Sequence, residues 1–111
     1  AATGRGYIAF ARSNPAHFRL MFRAELIDRG DADWQAATND AFAPLEAAMR
    51  VLAPAVDEAA LRARLSLAWC AVHGFCALRA EGAGRELWTP EARAVATAEA
   101  MIALLVTACR P

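Results

Sequence analysis

The sequence contains no lysine, and all twelve of its basic residues are arginine. Twelve acidic residues balance them, so the formal net charge is zero. A domain that binds DNA by itself normally carries a positively charged stripe that displaces counterions from the phosphates. Because the chain has no such stripe, we expect it to bind no DNA on its own.

A long apolar run and a signal sequence are also missing. The longest strongly apolar run, Met101 to Val106, is too short to cross a bilayer. The chain opens at Ala1 on a polar, glycine-containing stretch, whereas a signal peptide is first charged and then apolar. We therefore expect a protein of the cytoplasm with no membrane partner.

Cysteine is scarce, and three cysteines are an odd number, which argues against a disulfide scaffold. Cys70 and Cys76 lie six positions apart on one predicted helix and so point to different sides. We interpret the three cysteines as small, buried apolar residues in a reducing compartment.

Patterns typical of catalysis and metal binding are absent. His17 and His73, the only histidines, lie on different predicted helices. No Ser-His-Asp, Cys-His or His-Glu-x-x-His arrangement can be written, and no glycine-rich phosphate loop follows a strand. The acidic segment Asp28 to Asp33 does not start a calcium loop, because no glycine lies at its sixth position and no glutamate at the twelfth. The sequence therefore predicts no enzyme, no metal site and no cofactor.

Alanine is what the sequence has in excess, and it raises the apolar fraction to 58% although aromatic residues make up only 8%. Alanine is the best helix former because its side chain loses no entropy in a helix. No stretch alternates apolar and polar residues for long enough to predict a strand. We predict an all-α fold with residues 1–111 forming one domain.

Prolines and glycines divide the chain into five predicted helices. They cover about residues 5–13, 15–27, 34–52, 57–82 and 89–109. Asp33 is expected to cap the third helix, and Pro44 is expected to kink or break it because proline lacks an N–H. The sequence Thr89-Pro90-Glu91 is typical of a helix start, with Thr89 as the cap.

The fourth and fifth predicted helices are apolar on more than one side. A surface helix needs one apolar stripe, so a helix that is apolar over most of its circumference is buried on two sides. We interpret the excess as a two-fold dimer in which these helices form a four-helix bundle; the alternative is a monomer with the fourth helix at its centre. The expected interface residues are Leu67, Ala71, Gly74, Leu78, Met101, Leu104, Leu105 and Ala108.

Two stretches resemble a known family. Tyr7 to Phe22 reads YIAFARSNPAHFRLMF, and Ala68 to Phe75 reads AWCAVHGF. Both resemble the C-terminal domain of TetR-type transcriptional regulators, in the subgroup marked by a Trp-x-x-x-His-Gly motif, which Trp69, His73 and Gly74 match. The resemblance covers essentially the whole chain. It implies a five-helix effector-binding and dimerisation domain of a repressor that works as a homodimer. In this family DNA is read by an N-terminal helix-turn-helix module, which we expect this chain to lack.

Trp69 and His73, one helical turn apart, are expected to border an apolar cavity between the second, third and fourth predicted helices. The alternative is that His73 is a core histidine bonded to a carbonyl or a neighbouring side chain. The expected ligand is a small apolar or amphipathic molecule. The alternative function, from another class, is that of a stand-alone helical dimerisation or small-molecule carrier module unrelated to transcription. The candidate ligand-binding residues are Phe18, Phe22, Met49, Leu65, Trp69 and His73.

Overall fold

The computed structural model describes residues 2–13 and 30–111. These residues form five helices, and none of them lies in a strand. The all-α fold predicted from the sequence is thereby confirmed. The predicted second helix, over residues 15–27, lies outside the described residues. The observed helices are α1 (Ala2–Ser13), α2 (Ala32–Leu52), α3 (Glu58–Ala80), α4 (Arg85–Trp88) and α5 (Glu91–Cys109).

The two long C-terminal helices begin close to the predicted positions. Asp57 caps α3, and its Oδ1 accepts a hydrogen bond from the backbone N–H of Ala60 at 2.8 Å. This bond satisfies one of the amide groups that the first turn of a helix leaves without a partner. At the start of α5, Pro90 takes the N-cap position, and Thr89 is instead the C-cap that follows α4. The expectation that Thr89 caps the last helix is therefore wrong.

The helix α2 runs through Pro44 without interruption, so of the expected kink or break the break is wrong, and the kink stays a prediction. The proline deprives the carbonyl of Asp40 of its helical partner. Both residues are exposed, and water can satisfy that carbonyl. The helix also begins at Ala32, which places Asp33 in the first turn rather than at the cap. There its carboxylate still lies at the positive end of the helix dipole.

A short helix, α4, was not predicted because four residues show no periodicity. It follows Gly82 and Gly84, whose φ angles of 74° and 67° lie in the left-handed region that favours glycine. Trp88 ends α4 and folds back, with its indole N–H donating to the carbonyl of Ala83 at 2.9 Å. Its ring meets Phe75 of α3 edge-on at 5.3 Å, which anchors the turn to the core.

Two apolar clusters form the core, and α3 contributes to both. The first core cluster consists of Phe75, Cys76 and Ala98, with Tyr7, Ile8, Ala77, Trp88 and Met101 packed against it. The second core cluster consists of Met49, Leu61, Leu65, Ala68 and Cys109. The helix α3 is thus the axis around which α1, α2 and α5 are arranged. Of the three cysteines, Cys76 and Cys109 are buried, but Cys70 is exposed, so the interpretation of all three as buried is wrong for Cys70.

Polar contacts at both ends hold α3 and α5 side by side in opposite directions. Near the start of α3, the Nε of Arg64 donates to the carbonyl of Cys109 at the end of α5, over 2.6 Å. Near the end of α3, Arg79 forms an ion pair of 2.6 Å with Glu91 in the first turn of α5. The two helices are therefore antiparallel neighbours.

One helix in the described part of the chain, α5, is long and apolar enough to cross a membrane by length and composition alone. A core helix of a soluble protein passes the same test. Ala94, Ala98, Ile102 and Cys109 form a buried stripe along α5, so one side of this helix is used by the fold itself. Only 22% of its apolar window is buried within the chain, which leaves much of the helix uncovered.

Candidate ligand-binding cavity

A cavity of about 520 Å³ lies between α1, α2, α3 and α5. Its size falls within the range of about 300–1,000 Å³ that is typical of small-molecule sites. Ala48 and Val51 line it and are exposed, so the cavity opens to the surface along α2. Its described lining residues are Gly4, Tyr7, Leu45, Ala48, Met49, Val51, Leu52, Ala68, Trp69, Val72, Ile102, Leu105, Val106 and Cys109.

Small residues on the facing helices leave this space open. Ala68 of α3 and Ala48 of α2 offer only a methyl group where their neighbours carry long side chains. Gly4 of α1 offers none, and a Cβ at this position would lie 3.6 Å from the Cδ1 atom of Ile102. Apolar residues three or four positions apart share a helix face, so each long helix presents a continuous apolar wall.

Trp69 forms a wall of the cavity, and three rings of the described residues pack against it. The rings of Tyr7 and Phe42 meet it edge-on, at centroid distances of 5.2 and 6.2 Å. The imidazole of His73 lies nearly parallel to it, at 6.1 Å and an angle of 11°. Contacts of this kind restrict the rotation of the indole. The cavity therefore has a fixed aromatic wall.

A hydrogen bond of 2.8 Å joins the hydroxyl group of Tyr7 to the Nδ1 atom of His73. Burial lowers the pKa of His73, so the imidazole is neutral at neutral pH. Burial, followed by the nearby Cys76, raises the pKa of the Tyr7 hydroxyl. Both partners are thus uncharged, and the direction of the hydrogen bond depends on the imidazole tautomer.

The predicted ligand-binding residues divide into three groups. Met49 and Trp69 line the cavity. Leu65 is buried in the second core cluster, and His73 lies behind Trp69; neither is among the lining residues. The hydrogen bond between His73 and Tyr7 agrees with the alternative interpretation, in which the histidine is bonded to a neighbouring side chain. Phe18 and Phe22 lie outside the described residues. The ligand-binding role of all six residues stays a prediction.

The sequence interpretation missed the part that the first and last helices play. It placed the cavity between the second, third and fourth predicted helices, but α1 contributes Gly4 and Tyr7, and α5 contributes Ile102 and Leu105 among others. Tyr7 is the only tyrosine in the chain and lies one helical turn from Gly4. A hydroxyl group on an otherwise apolar helix face was the one signal that could have identified it.

The predicted dimer face is partly exposed and partly used within the chain. Leu67 and Leu78 on α3 are each 48% exposed, and Leu104 on α5 is 70% exposed. Met101 packs against the first core cluster, and Leu105 lines the cavity.

The small residues of the same predicted face leave room for a neighbour. Ala108 is exposed, while Ala71 and Gly74 are half-buried. A Cβ placed on Gly74 would meet nothing within 4 Å, so the backbone there is open to close approach.

Comparison with known protein families places this geometry in context. Residues 1–105 match the family described as tetracyclin repressor-like, C-terminal domain. Searches of curated proteins and of solved structures gave no match. The family match covers nearly the whole chain and agrees with the all-α architecture. The chain belongs to the tetracycline repressor-like C-terminal domain family, whose members are regulatory rather than catalytic domains.

Proposed function

We propose that this chain is the effector-binding and dimerisation domain of a TetR-like transcriptional repressor that senses a small apolar or amphipathic molecule. The observation that carries the proposal is the apolar cavity of about 520 Å³ with its fixed aromatic wall. We also propose membership of the Trp-x-x-x-His-Gly subgroup, because Trp69 and His73 stack on each other and Gly74 lies on the open side of the same helix.

The proposed dimer is centred on Leu67 and Leu78 of α3 and on Leu104 of α5, with Gly74 allowing close approach. Large apolar side chains left in water on two adjacent helices are typical of an interface. A standard specific interface buries about 800 Å² per partner. A second copy of the chain covers these leucines by packing α3 and α5 against their symmetry mates as a four-helix bundle.

The mechanism follows from the position of α5 between the cavity and the dimer face. Leu105 lines the cavity, and the adjacent Leu104 points to the exposed side. A ligand that fits one placement of α5 better than another shifts the population toward that placement. The shift changes how the two copies are oriented and, in an intact regulator of the cytoplasm, the spacing of two N-terminal DNA-reading modules.

The proposed role in transcription is tested by the sequence that the gene encodes upstream of this chain. About 80 residues with a helix-turn-helix pattern upstream of this chain are expected for a repressor. A mobility shift with the isolated chain is expected to show no specific DNA binding, because the net charge is zero and the described helices show no basic face. A salt-resistant, sequence-specific shift would contradict the assignment of DNA reading to another module.

Ligand binding is tested by native mass spectrometry of the purified chain and of two matched variants. Val106→Trp fills the cavity, since Val106 lines it. Val95→Trp places the same bulk on the same side of α5 three turns away, where Val95 is 46% exposed and does not line the cavity. A co-purified small molecule should be lost from Val106→Trp and kept by Val95→Trp. Loss from both variants or from neither would contradict the cavity assignment.

A further inference from the structure

We infer that the cavity takes an amphipathic molecule with one extended apolar tail, and that Gly4, Val72 and Ile102 limit the length of this tail where α1 meets α3 and α5. The inference rests on the proposed function, because it names the ligand class of the same cavity. Its basis is the order in which the lining residues follow one another along α3 and α5, together with the contacts that they make at either end.

One end of the cavity is formed by α2, which packs against both α3 and α5. Met49 of α2 is buried in the second core cluster with Ala68 of α3 and Cys109 of α5, and all three residues line the cavity. Ala48 and Val51 of the same helix also line it, and both are exposed, Val51 to 82%. The cavity therefore meets water at its α2 end.

The other end is formed by α1, which also packs against both α3 and α5. A Cβ on Gly4 would lie 3.6 Å from the Cδ1 atom of Ile102 on α5 and 3.8 Å from the Cγ2 atom of Val72 on α3. These are ordinary van der Waals distances, so the backbone of α1 lies against the two side chains with little more than the room of a methyl group. All three residues line the cavity. The α1 end is thus a wall of helix backbone and branched apolar side chains.

The long axis of the cavity follows from the order of these residues. Ile102 at the α1 end and Cys109 at the α2 end are seven residues apart on α5, which is about 10 Å at a rise of about 1.5 Å per residue. On the antiparallel α3, Ala68 lies at the α2 end and Val72 at the α1 end. The cavity therefore runs along the two helices, and an extended molecule fits it with one end at α1 and the other at α2.

Polar contacts beside Gly4 hold the α1 end in place. The Nε atom of Arg5 donates to both carboxylate oxygens of Glu99 on α5, at 3.0 and 3.1 Å. One helical turn after Gly4, the hydroxyl group of Tyr7 is hydrogen-bonded to the Nδ1 atom of His73 on α3 at 2.8 Å. The helix α1 is thus fastened to both helices against which it packs. A tail that is too long meets a wall that resists displacement.

The two ends of the cavity set the direction in which such a molecule binds. A polar head at the α2 end stays in contact with water and keeps its hydration. An apolar tail gains free energy from each methylene group that it buries along α3 and α5. The molecule therefore binds tail first, with the end of its tail at Gly4.

The test measures the affinities of straight-chain alcohols, from 1-butanol to 1-undecanol, by isothermal titration calorimetry. For the unmodified chain, the affinity should rise about fourfold with each added methylene group and stop rising once the tail reaches the α1 end. Gly4→Leu should lower this length limit by about two carbons, because the new side chain occupies the end of the cavity. Gly6→Leu is the matched control on the same helix and should leave the limit unchanged, since a Cβ on Gly6 would meet nothing within 4 Å.

A second variant should move the limit in the opposite direction. Ile102→Val removes the Cδ1 atom, which is the atom nearest to a Cβ placed on Gly4, and a change of this kind costs little stability. The longest alcohol that still gains affinity should then be about one carbon longer. The same limit in the unmodified chain, Gly4→Leu and Ile102→Val would overturn the inference. If Gly4→Leu fails to fold, Ile102→Val decides the point alone.

Octyl glucoside, used below its critical micelle concentration, tests the direction of binding. Its octyl chain can enter tail first while the bulky sugar stays in water at the α2 end. Its affinity should therefore lie within about threefold of that of 1-octanol. Binding of 1-octanol without binding of the glucoside would contradict the tail-first orientation.

The outcomes separate the ligand class from the proposed function. If the alcohols bind, Val106→Trp abolishes their binding and the affinity shows no length limit, the inference is overturned while the effector cavity stands. If no alcohol binds, or if Val106→Trp binds them as well as the unmodified chain does, the cavity assignment fails together with the inference.

Discussion

The guanidinium of Arg64 donates through Nε to the carbonyl oxygen of Cys109 at 2.6 Å and through an Nη atom to the carbonyl of Ala60 at 3.1 Å. Cys109 is the last residue of α5, so its carbonyl has no partner within that helix. A cation at this end also interacts favourably with the helix dipole. One side chain of α3 thus closes the end of α5 beside the cavity.

Replacing Arg64 should therefore destabilise the fold more than replacing its neighbour Arg62, which is exposed. Arg64→Met keeps the aliphatic part of the side chain but removes the charged donors, and we expect a loss of about 1 kcal/mol in the free energy of unfolding. Arg62→Met should change it by less than about 0.5 kcal/mol. Urea unfolding curves measure both, and equal losses would contradict the capping role.

Two glycines offer a second matched pair. Gly82 and Gly84 both have positive φ, but a Cβ on Gly82 would meet nothing within 4 Å, whereas one on Gly84 would lie 2.6 Å from the Cζ2 atom of Trp88. Gly82→Ala should cost about 1 kcal/mol for the left-handed backbone. Gly84→Ala should cost at least about 1 kcal/mol more, because Trp88 must move from the core. Thermal unfolding is the measurement, and a Gly84→Ala variant as stable as Gly82→Ala would show that this ring is free to shift.

The proposed dimer predicts that Leu104→Glu yields a monomer with nearly native helix content. A carboxylate at the centre of an apolar interface is left without a partner, and its desolvation opposes association. Gly74→Trp should act in the same direction by keeping the two backbones apart. Leu87→Glu is the control, because Leu87 is 59% exposed on α4, outside the proposed interface.

Light scattering and circular dichroism distinguish the possible results. The unmodified chain and Leu87→Glu should have the mass of a dimer at micromolar concentration, while Leu104→Glu should have half that mass. A monomeric mass for the unmodified chain would contradict the dimer. Binding of the unmodified chain to lipid vesicles would instead show that the exposed side of α5 binds a membrane.

The environment of His73 predicts a pH dependence of stability. Its pKa is lowered from the usual 6.5 by burial, so the unfolded chain binds a proton more readily than the folded one. The stability that neutral His73 gives to the folded chain is therefore present at pH values above about 6.5, and it is lost as the pH falls below about 6.5.

His73→Gln keeps a polar side chain without a titrating group, so its stability should fall less on acidification. Urea unfolding of both proteins at several pH values between about 7.5 and about 5 measures the difference. Parallel pH profiles for the two proteins would show that this histidine does not contribute.

The sequence was sufficient for the helices but not for the contacts between them. Caps, prolines and apolar spacing predicted four of the five described helices, because these signals act within a few residues. The cavity depends on Gly4 and Ile102 meeting across the fold, and no periodicity within a single helix encodes such a meeting. His73 was recognised as a polar residue at an apolar face, but its partner Tyr7 lies 66 positions away in the chain.

Pro44 shows the limit of a local rule. Proline in a helix interior removes one hydrogen bond, and the sequence does not reveal whether the freed carbonyl group is exposed to water or buried. Here Asp40 and Pro44 both face water, and the helix continues. The sequence rule for proline predicts a loss of stability in the helix, while the solvent exposure of the freed carbonyl group decides whether the helix breaks.

If the proposed dimer covers the leucines that are exposed on a single chain, Leu67, Leu78 and Leu104, the stability of this protein depends on its concentration. When folding and pairing are linked, mass action makes the unfolding temperature rise with protein concentration. A newly made copy in a cell with few others waits longer for a partner and is exposed to proteases during that time. Expression level then sets how long each molecule survives, as well as how many there are.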